Sequence, residues 1–358
     1  MLDFSKPYRD LLEEAWALHR APRETNAPTV ISTFAGCGGS SLGYSMAGFK
    51  ELLAVERDDN AAETLRLNFP AVPVWHGDIA ALSVEKCLEL SGIQAGALDV
   101  LDGSPPCQGF STAGMRKVND GRNQLFREFV RLLRGLKPKV LVMENVSGMV
   151  KGKMKAIFAE IMRELKASGY RVRAKLLNAM WYGVPQSRER LIFIGVREDL
   201  ASEPGHPKGI TWPTSAWKAI GHLGNTQDAA TNHVWLDESP SGRNTRTWIH
   251  AWKAKPGKKY AGQQRRERWD RPANTLTTGG GVAPPYLRNL GCHPRYTRTY
   301  SLLEYRLLAS FPDGFQFVGG ARNGIKRIGN CVPPLFMRAI AAHIRDSILA
   351  KFEGMEAP

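Results

Sequence analysis

Between Thr29 and about Val196, short apolar runs alternate with stretches of helical period. The runs are Thr29–Phe34, Glu51–Val55, Leu98–Leu101, Lys139–Met143, Val172–Leu177 and Leu191–Val196. Their near-continuous apolar character predicts strands buried on both faces, as in a parallel sheet covered by helices. Helices are predicted over Asn123–Leu136 and Met154–Ala167, the latter carrying Ile157, Ile161 and Leu165 on one stripe. Tyr8–His19 reads as an amphipathic packing helix, with no chemistry of its own. From about Ala201 the periodicity weakens into Pro, Gly, Trp, Asn and Thr. Order returns at Ser301 and Glu304, a capping-box spacing ahead of Tyr305–Ser310, and at Leu335–Ala350, an amphipathic helix after Pro333–Pro334. The expected division is a helical extension over 1–26, an α/β body over 27–200, an irregular domain over 201–325, and a segment over 326–358 that rejoins the body.

Composition narrows the function classes. A chain of 358 residues with 43% hydrophobic residues, 9 Trp and 14 Phe has material for a sizeable core, which excludes disorder as its main state. No apolar run approaches the ~20 residues of a membrane span, and residues 1–26 hold no signal-peptide core, so no membrane association is expected. Five cysteines, none in a C-x-x-C pair, argue against both a disulfide framework and a zinc ribbon. No metal is expected, and a reducing cytoplasm is the natural compartment. The formal net charge of +15 points to a polyanionic partner. The stretch 251–271 concentrates it, with eight Lys/Arg against two acids, interleaved with Trp252, Tyr260 and Trp269. That mixture suits phosphate contact by Arg265, Arg266 and Arg268; a solvated basic face is the plain alternative.

Four local strings carry chemistry. Phe34-Ala35-Gly36-Cys37-Gly38-Gly39 follows a strand and opens a helix, where glycines admit a ligand close to the backbone. Glu56 ends the next strand, where an acid can accept from ribose hydroxyls. The spacing is not G-x-G-x-x-G, which weighs against a dehydrogenase. Gly103-Ser104-Pro105-Pro106-Cys107-Gln108-Gly109-Phe110-Ser111 holds a cysteine beyond a strand end between rigid prolines and polar neighbours. Glu144-Asn145-Val146 follows a buried strand, and Gln186-Ser187-Arg188-Glu189-Arg190 leads into another. Arg188 and Arg190 share a face at strand spacing, so both are placed to meet an anionic or carbonyl-bearing ligand. Taken singly, each string has an ordinary structural reading as a turn, a buried thiol or an exposed strand end.

In order along the chain they are joined by Gly77-Asp78-Ile79, Arg271-Pro272-Ala273-Asn274-Thr275-Leu276-Thr277 and Gly329-Asn330-Cys331-Val332-Pro333. This series resembles the DNA (cytosine-5)-methyltransferases of the bacterial restriction-modification type, over about Thr29–Val196 and Arg271–Ile344. The resemblance implies a Rossmann-like sheet that binds S-adenosylmethionine, with a second, smaller and irregular target-recognition domain. It implies methyl transfer to carbon 5 of a cytosine flipped out of a specific double-stranded sequence. Carbon 5 is a poor nucleophile until a thiolate adds to carbon 6, and the implied thiolate is Cys107. Glu144 matches the glutamate that holds ring N3 and the exocyclic amine, sharing a proton with the activated base. Arg190 matches the contact to ring O2, with Arg188 its companion. Phe34, Gly36, Gly39, Glu56, Asp78, Pro105, Asn330 and Val332 match cofactor positions. Gln108 and Ser111 match DNA contacts, on a loop to Asn123 that closes over DNA. Cys37 and Cys331 occupy variable positions and receive no role. The family further implies a monomer on DNA and a cognate restriction endonuclease acting separately. Two alternatives stay open on sequence: an RNA (tRNA) cytosine-5 methyltransferase on the same fold, against which Gly109-Phe110-Ser111 speaks, and a catalytically silent DNA-binding relative, against which the joint presence of Cys107, Glu144 and Arg190 speaks.

Overall fold

The computed structural model describes residues 2–106, 121–224, 266–278, 293–295 and 299–352. It divides into two compact units. One comprises Ala21–Leu177, Glu189–Lys208 and Met337–Pro358 and is built on a seven-stranded sheet. The other comprises Met1–Arg20, Asn178–Arg188 and Gly209–Phe336 and holds a two-stranded one.

In chain order the large sheet is formed by β1 (Thr29–Thr33), β2 (Lys50–Glu56), β3 (Val74–His76), β4 (Val100–Gly103), β5 (Val140–Val146), β6 (Tyr170–Asn178) and, after β7 (Gln186–Ser187), β8 (Glu189–Arg197). The spatial order is β3-β2-β1-β4-β5-β8-β6. β1 pairs in parallel with β2 and β4, and β4 with β5, so the order reverses between β1 and β4. Crevices at such a reversal, beyond the carboxyl ends of the strands, are where open α/β sheets bind ligands. The strands begin in register because the Asp99 carboxylate collects the Thr29 amide at 2.8 Å, the Thr29 hydroxyl at 2.9 Å and Lys139 Nζ at 2.8 Å.

One face of this sheet is apolar. Ile31, Leu101, Leu141, Met143 and Phe193 pack there against Phe129 and Leu133 of helix Gly121–Leu136 and Ile157, Ile161 and Leu165 of helix Lys155–Ala167. Those three residues form the stripe expected from the sequence. The opposite face carries Ser32, Asp102, Glu144 and Arg190 among apolar neighbours, because side chains alternate along each strand. Helix Gly39–Met46 turns Ser40, Ser41 and Tyr44 toward this polar face.

The structure departs from the sequence expectation in three places. The sheet is mixed: β8 runs antiparallel to β5, pairing Met143 with Phe193 and Val146 with Arg190. An apolar run alone does not encode strand direction, since a central strand is buried on both faces either way. The short strand β3 is too brief and too exposed to stand out as an apolar run. The segments 1–20 and 178–188 join residues 209–336, and the return falls at Met337, inside helix Pro334–Ser347. The Tyr8 hydroxyl donates to the Leu307 carbonyl at 3.1 Å and Arg9 pairs with Asp313 at 2.9 Å, which binds helix Tyr8–Arg20 into that unit. The capping box at Ser301 is formed, with the Ser301 amide donating to Glu304 and the Glu304 amide to the Ser301 hydroxyl.

Candidate active site

The sequence-derived site residues of the seven-stranded unit lie at or just beyond the carboxyl ends of β1 to β5 and at the start of β8. β1 runs into Phe34, which lies at φ +54, then Gly36 at φ +58 and Gly38 at φ +93. These left-handed positions fold the chain tightly into helix Gly39–Met46. A Cβ on Gly38 would stand 2.6 Å from the Phe69 ring, whereas one on Gly36 would meet nothing within 4 Å. Among the described residues, the space above Gly36 is therefore clear.

Glu56, at the end of β2, organises that turn. Its Oε2 accepts the Gly36 amide at 2.8 Å, and its Oε1 accepts the amides of Arg57 and Asp58 at 2.9 and 2.7 Å. A carboxylate has about four acceptor sites, so capacity for about one further donor remains. Asp78 caps the short helix Ile79–Ala81 through the Ala80 amide and lies 3.6 Å from Arg57. Phe34 is half-buried against the apolar core, and Pro105 is buried at the end of β4. Asn145 Nδ2 donates to the Pro105 carbonyl at 3.2 Å, tying the segment that enters Cys107 to the end of β5.

The decisive pairing lies across β5 and β8. Arg190 Nε stands 2.6 Å from Glu144 Oε1, with both side chains nearly sequestered from solvent at 12% and 11% exposure. Glu144 is opposite Ile192, so Arg190 is its diagonal neighbour on the same face. Two residues 46 positions apart in sequence thus meet at adjacent strand ends.

Arg188 does something different. It falls between β7 and β8 and belongs to the other unit, where its side chain is 2% exposed. Its guanidinium donates to the carbonyls of Leu276 and Gly329, each at 3.1 Å. The shared face expected for Arg188 and Arg190 is not formed, because the strand breaks at Arg188 and the guanidinium is committed to backbone carbonyls. Strand periodicity could not reveal that break. The clamp joins three sequence motifs: Gln186–Arg190, Arg271–Thr277 and Gly329–Pro333. Gln186 Oε1 also accepts the Leu276 amide at 3.0 Å, and β7 pairs with β9 (Ala273–Asn274). Gly329 must be glycine there, since a Cβ would press to 2.4 Å of the Thr277 backbone. Asn330 ends helix Gly320–Asn330 in this unit, followed by the buried Val332.

Arg266 donates through Nε and Nη2 to the Pro294 carbonyl at 2.9 and 2.7 Å, and Arg268 pairs with Asp270 at 2.5 Å. Cys107, Gln108, Ser111 and Arg265, with the rest of the loop to 120, lie outside the described residues. The described cysteines Cys37, Cys87 and Cys331 are all buried, and burial pushes the Cys87 thiol up to about 11. Thiols held in that way are poor nucleophiles.

Residues 28–346 match the model of the C-5 cytosine-specific DNA methylase family. The chain belongs to that family. Similar curated relatives of this methylase are type II methyltransferases. M1.HphI of Haemophilus parahaemolyticus is 35% identical over 332 residues, covering 87% of this chain and 85% of the relative. M.Sau96I of Staphylococcus aureus is 34% identical over 329 residues, covering 87% and 74%. Among solved structures, a protein encoded within an Escherichia coli prophage aligns with TM-score 0.71 at 25% identity, covering 90% of the methylase and 100% of that chain. Spodoptera frugiperda DNMT2 aligns at 0.64 with 18% identity, covering 89% and 99%, a likeness of fold alone. The methylase transfers a methyl group from S-adenosylmethionine to carbon 5 of cytosine in DNA. Among the described residues, no helix is long and apolar enough to cross a membrane.

Proposed function

We propose that the methylase works through covalent addition of Cys107 to a cytosine turned out of the duplex, with the Glu144–Arg190 pair gripping the base. The observation that carries this reading is the 2.6 Å contact between Arg190 and Glu144, at the strand next to the one that delivers Cys107. The Cys107 thiolate bonds to carbon 6, and the ring electrons shift to make carbon 5 nucleophilic. S-adenosylmethionine, when bound, supplies the methyl group as an electrophile. Loss of the carbon-5 proton to a base then re-forms the ring double bond and expels the Cys107 thiolate. Through this sequence Glu144 contacts N3 and the exocyclic amine, sharing the proton that offsets charge built up on the ring. Arg190 contacts O2 and keeps Glu144 in place. Arg188 acts as a positioning residue, holding three motif backbones together in its own unit.

Cofactor binding falls to Phe34, Gly36, Gly39, Glu56, Asp78 and Pro105, with Asn330 and Val332 assigned to it by the resemblance. The open space above Gly36 and the spare acceptor capacity of Glu56 support that set. Gln108 and Ser111 contact DNA, and residues 201–325 serve target recognition. Arg265, Arg266 and Arg268 meet phosphates, Arg268 by exchanging its exposed partner Asp270. The methylase acts as a monomer in the cytoplasm, and its modified site is one that a cognate restriction endonuclease leaves uncut; the type II names of the relatives bear on the last of these alone.

A trapping experiment tests the chemistry. DNA with 5-fluorocytosine at the target carries no proton to lose from carbon 5, so the adduct persists. Wild type is expected to give a covalent complex mapped by mass spectrometry to Cys107. Cys107→Ser is expected to give none, because a hydroxyl forms almost no alkoxide near neutrality. A bond at Cys292, or full activity of Cys107→Ser, overturns the reading.

A further inference from the structure

The family match begins at residue 28, so residues 1–27 stand outside it. The segment Met1–Arg20 nevertheless belongs to the unit that holds the two-stranded sheet, and Leu2, Tyr8, Leu11, Leu12 and Ala15 are buried there. Beyond helix Leu302–Leu308, Asp313 pairs with Arg9 at 2.9 Å, and a Cβ on Gly314 would press into the Trp16 ring. Two further contacts fall on the parts that hold Arg188. The Tyr8 hydroxyl donates to the Leu307 carbonyl at 3.1 Å, and Gln186 Nε2 donates to the adjacent Leu308 carbonyl at 3.4 Å. Both carbonyls lie in the last turn of helix Leu302–Leu308, where a helix supplies few donors of its own. Phe4 sits on the loop Asn178–Arg188 itself. Gly183, in the middle of that loop, lies at φ +81, and a Cβ there would stand 2.5 Å from the Phe4 ring and 3.5 Å from Leu335. Arg188 closes the mouth of the loop: its amide donates to Asn178 Oδ1 and its carbonyl accepts the Ala179 amide, each at 3.0 Å.

Resting on the reading of Arg190 as a base contact and Arg188 as a support, we infer that Phe4 and Tyr8 are positioning residues for methyl transfer. The N-terminal segment braces the loop Asn178–Arg188, and with it the clamp from which the chain runs on to Arg190, two residues later. The brace has two points of action. The Phe4 ring covers the middle of the loop at a glycine that has no side chain to pack for itself. The Tyr8 hydroxyl fixes the end of the helix to which Gln186 is bonded, and Gln186 and Arg188 both bond Leu276. Neither Phe4 nor Tyr8 contacts a residue assigned to the base or to the donor. Their effect therefore belongs to the geometry of the reacting complex, where a displacement of about 1 Å from a distant change costs up to about 100-fold in rate.

The test is the single-turnover rate of methyl transfer with saturating DNA and donor, measured well below the unfolding temperature of each variant. Phe4→Ala is expected to slow the reaction about ten-fold, with donor affinity held within about two-fold of wild type. Phe4→Leu restores an apolar contact on Gly183 and should recover most of the rate. A coupling cycle separates a brace from a merely structural helix. In an Arg188→Ala background the clamp is already lost, so Phe4→Ala should cost less than about two-fold more. Full multiplication of the two losses, or a wild-type rate in Phe4→Ala, overturns the inference. Should Phe4→Ala fail to fold, Tyr8→Phe decides, since it removes one hydroxyl and keeps the ring. A fall of about three- to ten-fold that vanishes in the Arg188→Ala background is expected, the scale of one hydrogen bond. A wild-type rate in Tyr8→Phe sinks the idea. Arg190→Gln keeps the two readings apart. Wild-type rate in that variant refutes the base contact, whereas a lost rate there beside independent Phe4 and Arg188 effects refutes only the brace.

Discussion

Arg190 Nε lies 2.6 Å from Glu144 Oε1, a charge pair on antiparallel neighbours β5 and β8 that solvent barely reaches. Removing one partner of such a pair strands the other charge, and that cost is larger than the net value of the pair. Arg190→Ala is expected to destabilise the fold by about 3 kcal/mol in chemical denaturation. Glu144→Gln retains shape and hydrogen bonding, so it should lose less stability. Its methyl-transfer rate should nevertheless fall about 100-fold, the scale of one lost proton-transfer group. Equal stability losses in the two variants would show that the ionic part of the contact matters little.

Gly38 and Gly36 both lie in the left-handed region but meet different surroundings. Gly38→Ala would drive a methyl into the Phe69 ring, so it should lower stability by about 1–3 kcal/mol and weaken donor binding with it. Gly36→Ala has room, and should cost about 1 kcal/mol through backbone strain alone. Its donor affinity should still fall, because the added methyl occupies the open space above the turn. Isothermal titration with thermal denaturation separates these effects. Unchanged affinity in Gly36→Ala would move the cofactor away from this turn.

Arg188 satisfies the carbonyls of Leu276 and Gly329 from a fully buried position. Arg188→Ala leaves both acceptors without that donor, at about 1–3 kcal/mol each. Arg188→Lys restores one charge but not the fork, and should recover only part of the loss. Denaturation midpoints check this, and a variant as stable as wild type would remove the clamp from the account.

Burial raises Glu51 to about 7 and Asp102 to about 8, from ordinary carboxyl values near 4. The folded chain therefore binds these protons more tightly than the unfolded chain does. Stability from the two groups is complete below about pH 4, and is lost as pH rises through their folded values. Wild type should unfold at lower temperature at pH 9 than at pH 6, by several degrees. Asp102→Asn should flatten that difference by about 2 °C or more, the scale of one kcal/mol in a chain of this size. An identical pH dependence in Asp102→Asn would place the titration elsewhere.

The order of motifs and the alternation of apolar runs were enough to read an α/β sheet, a glycine turn at Phe34–Gly39 and polar residues Glu144 and Arg190 at strand ends, while the roles proposed for them come from the family resemblance. Those features depend on local chemistry: glycine where φ is positive, continuous apolar strands where both faces are covered, and polar residues where strands end. The antiparallel direction of β8, the membership of helix Tyr8–Arg20 and the fate of Arg188 were decided by tertiary structure. Each depends on a partner distant in sequence: Met143 opposite Phe193, Leu307 for Tyr8, and Leu276 with Gly329 for Arg188. That Glu51, Asp102 and Glu144 lie on one face of the sheet was equally invisible, because they come from separate strands and Glu51 needs a register irregularity to face the others. Periodicity reports which way a side chain points relative to its own strand. Only the folded sheet determines which charges then share a face, and low-dielectric surroundings make that sharing count.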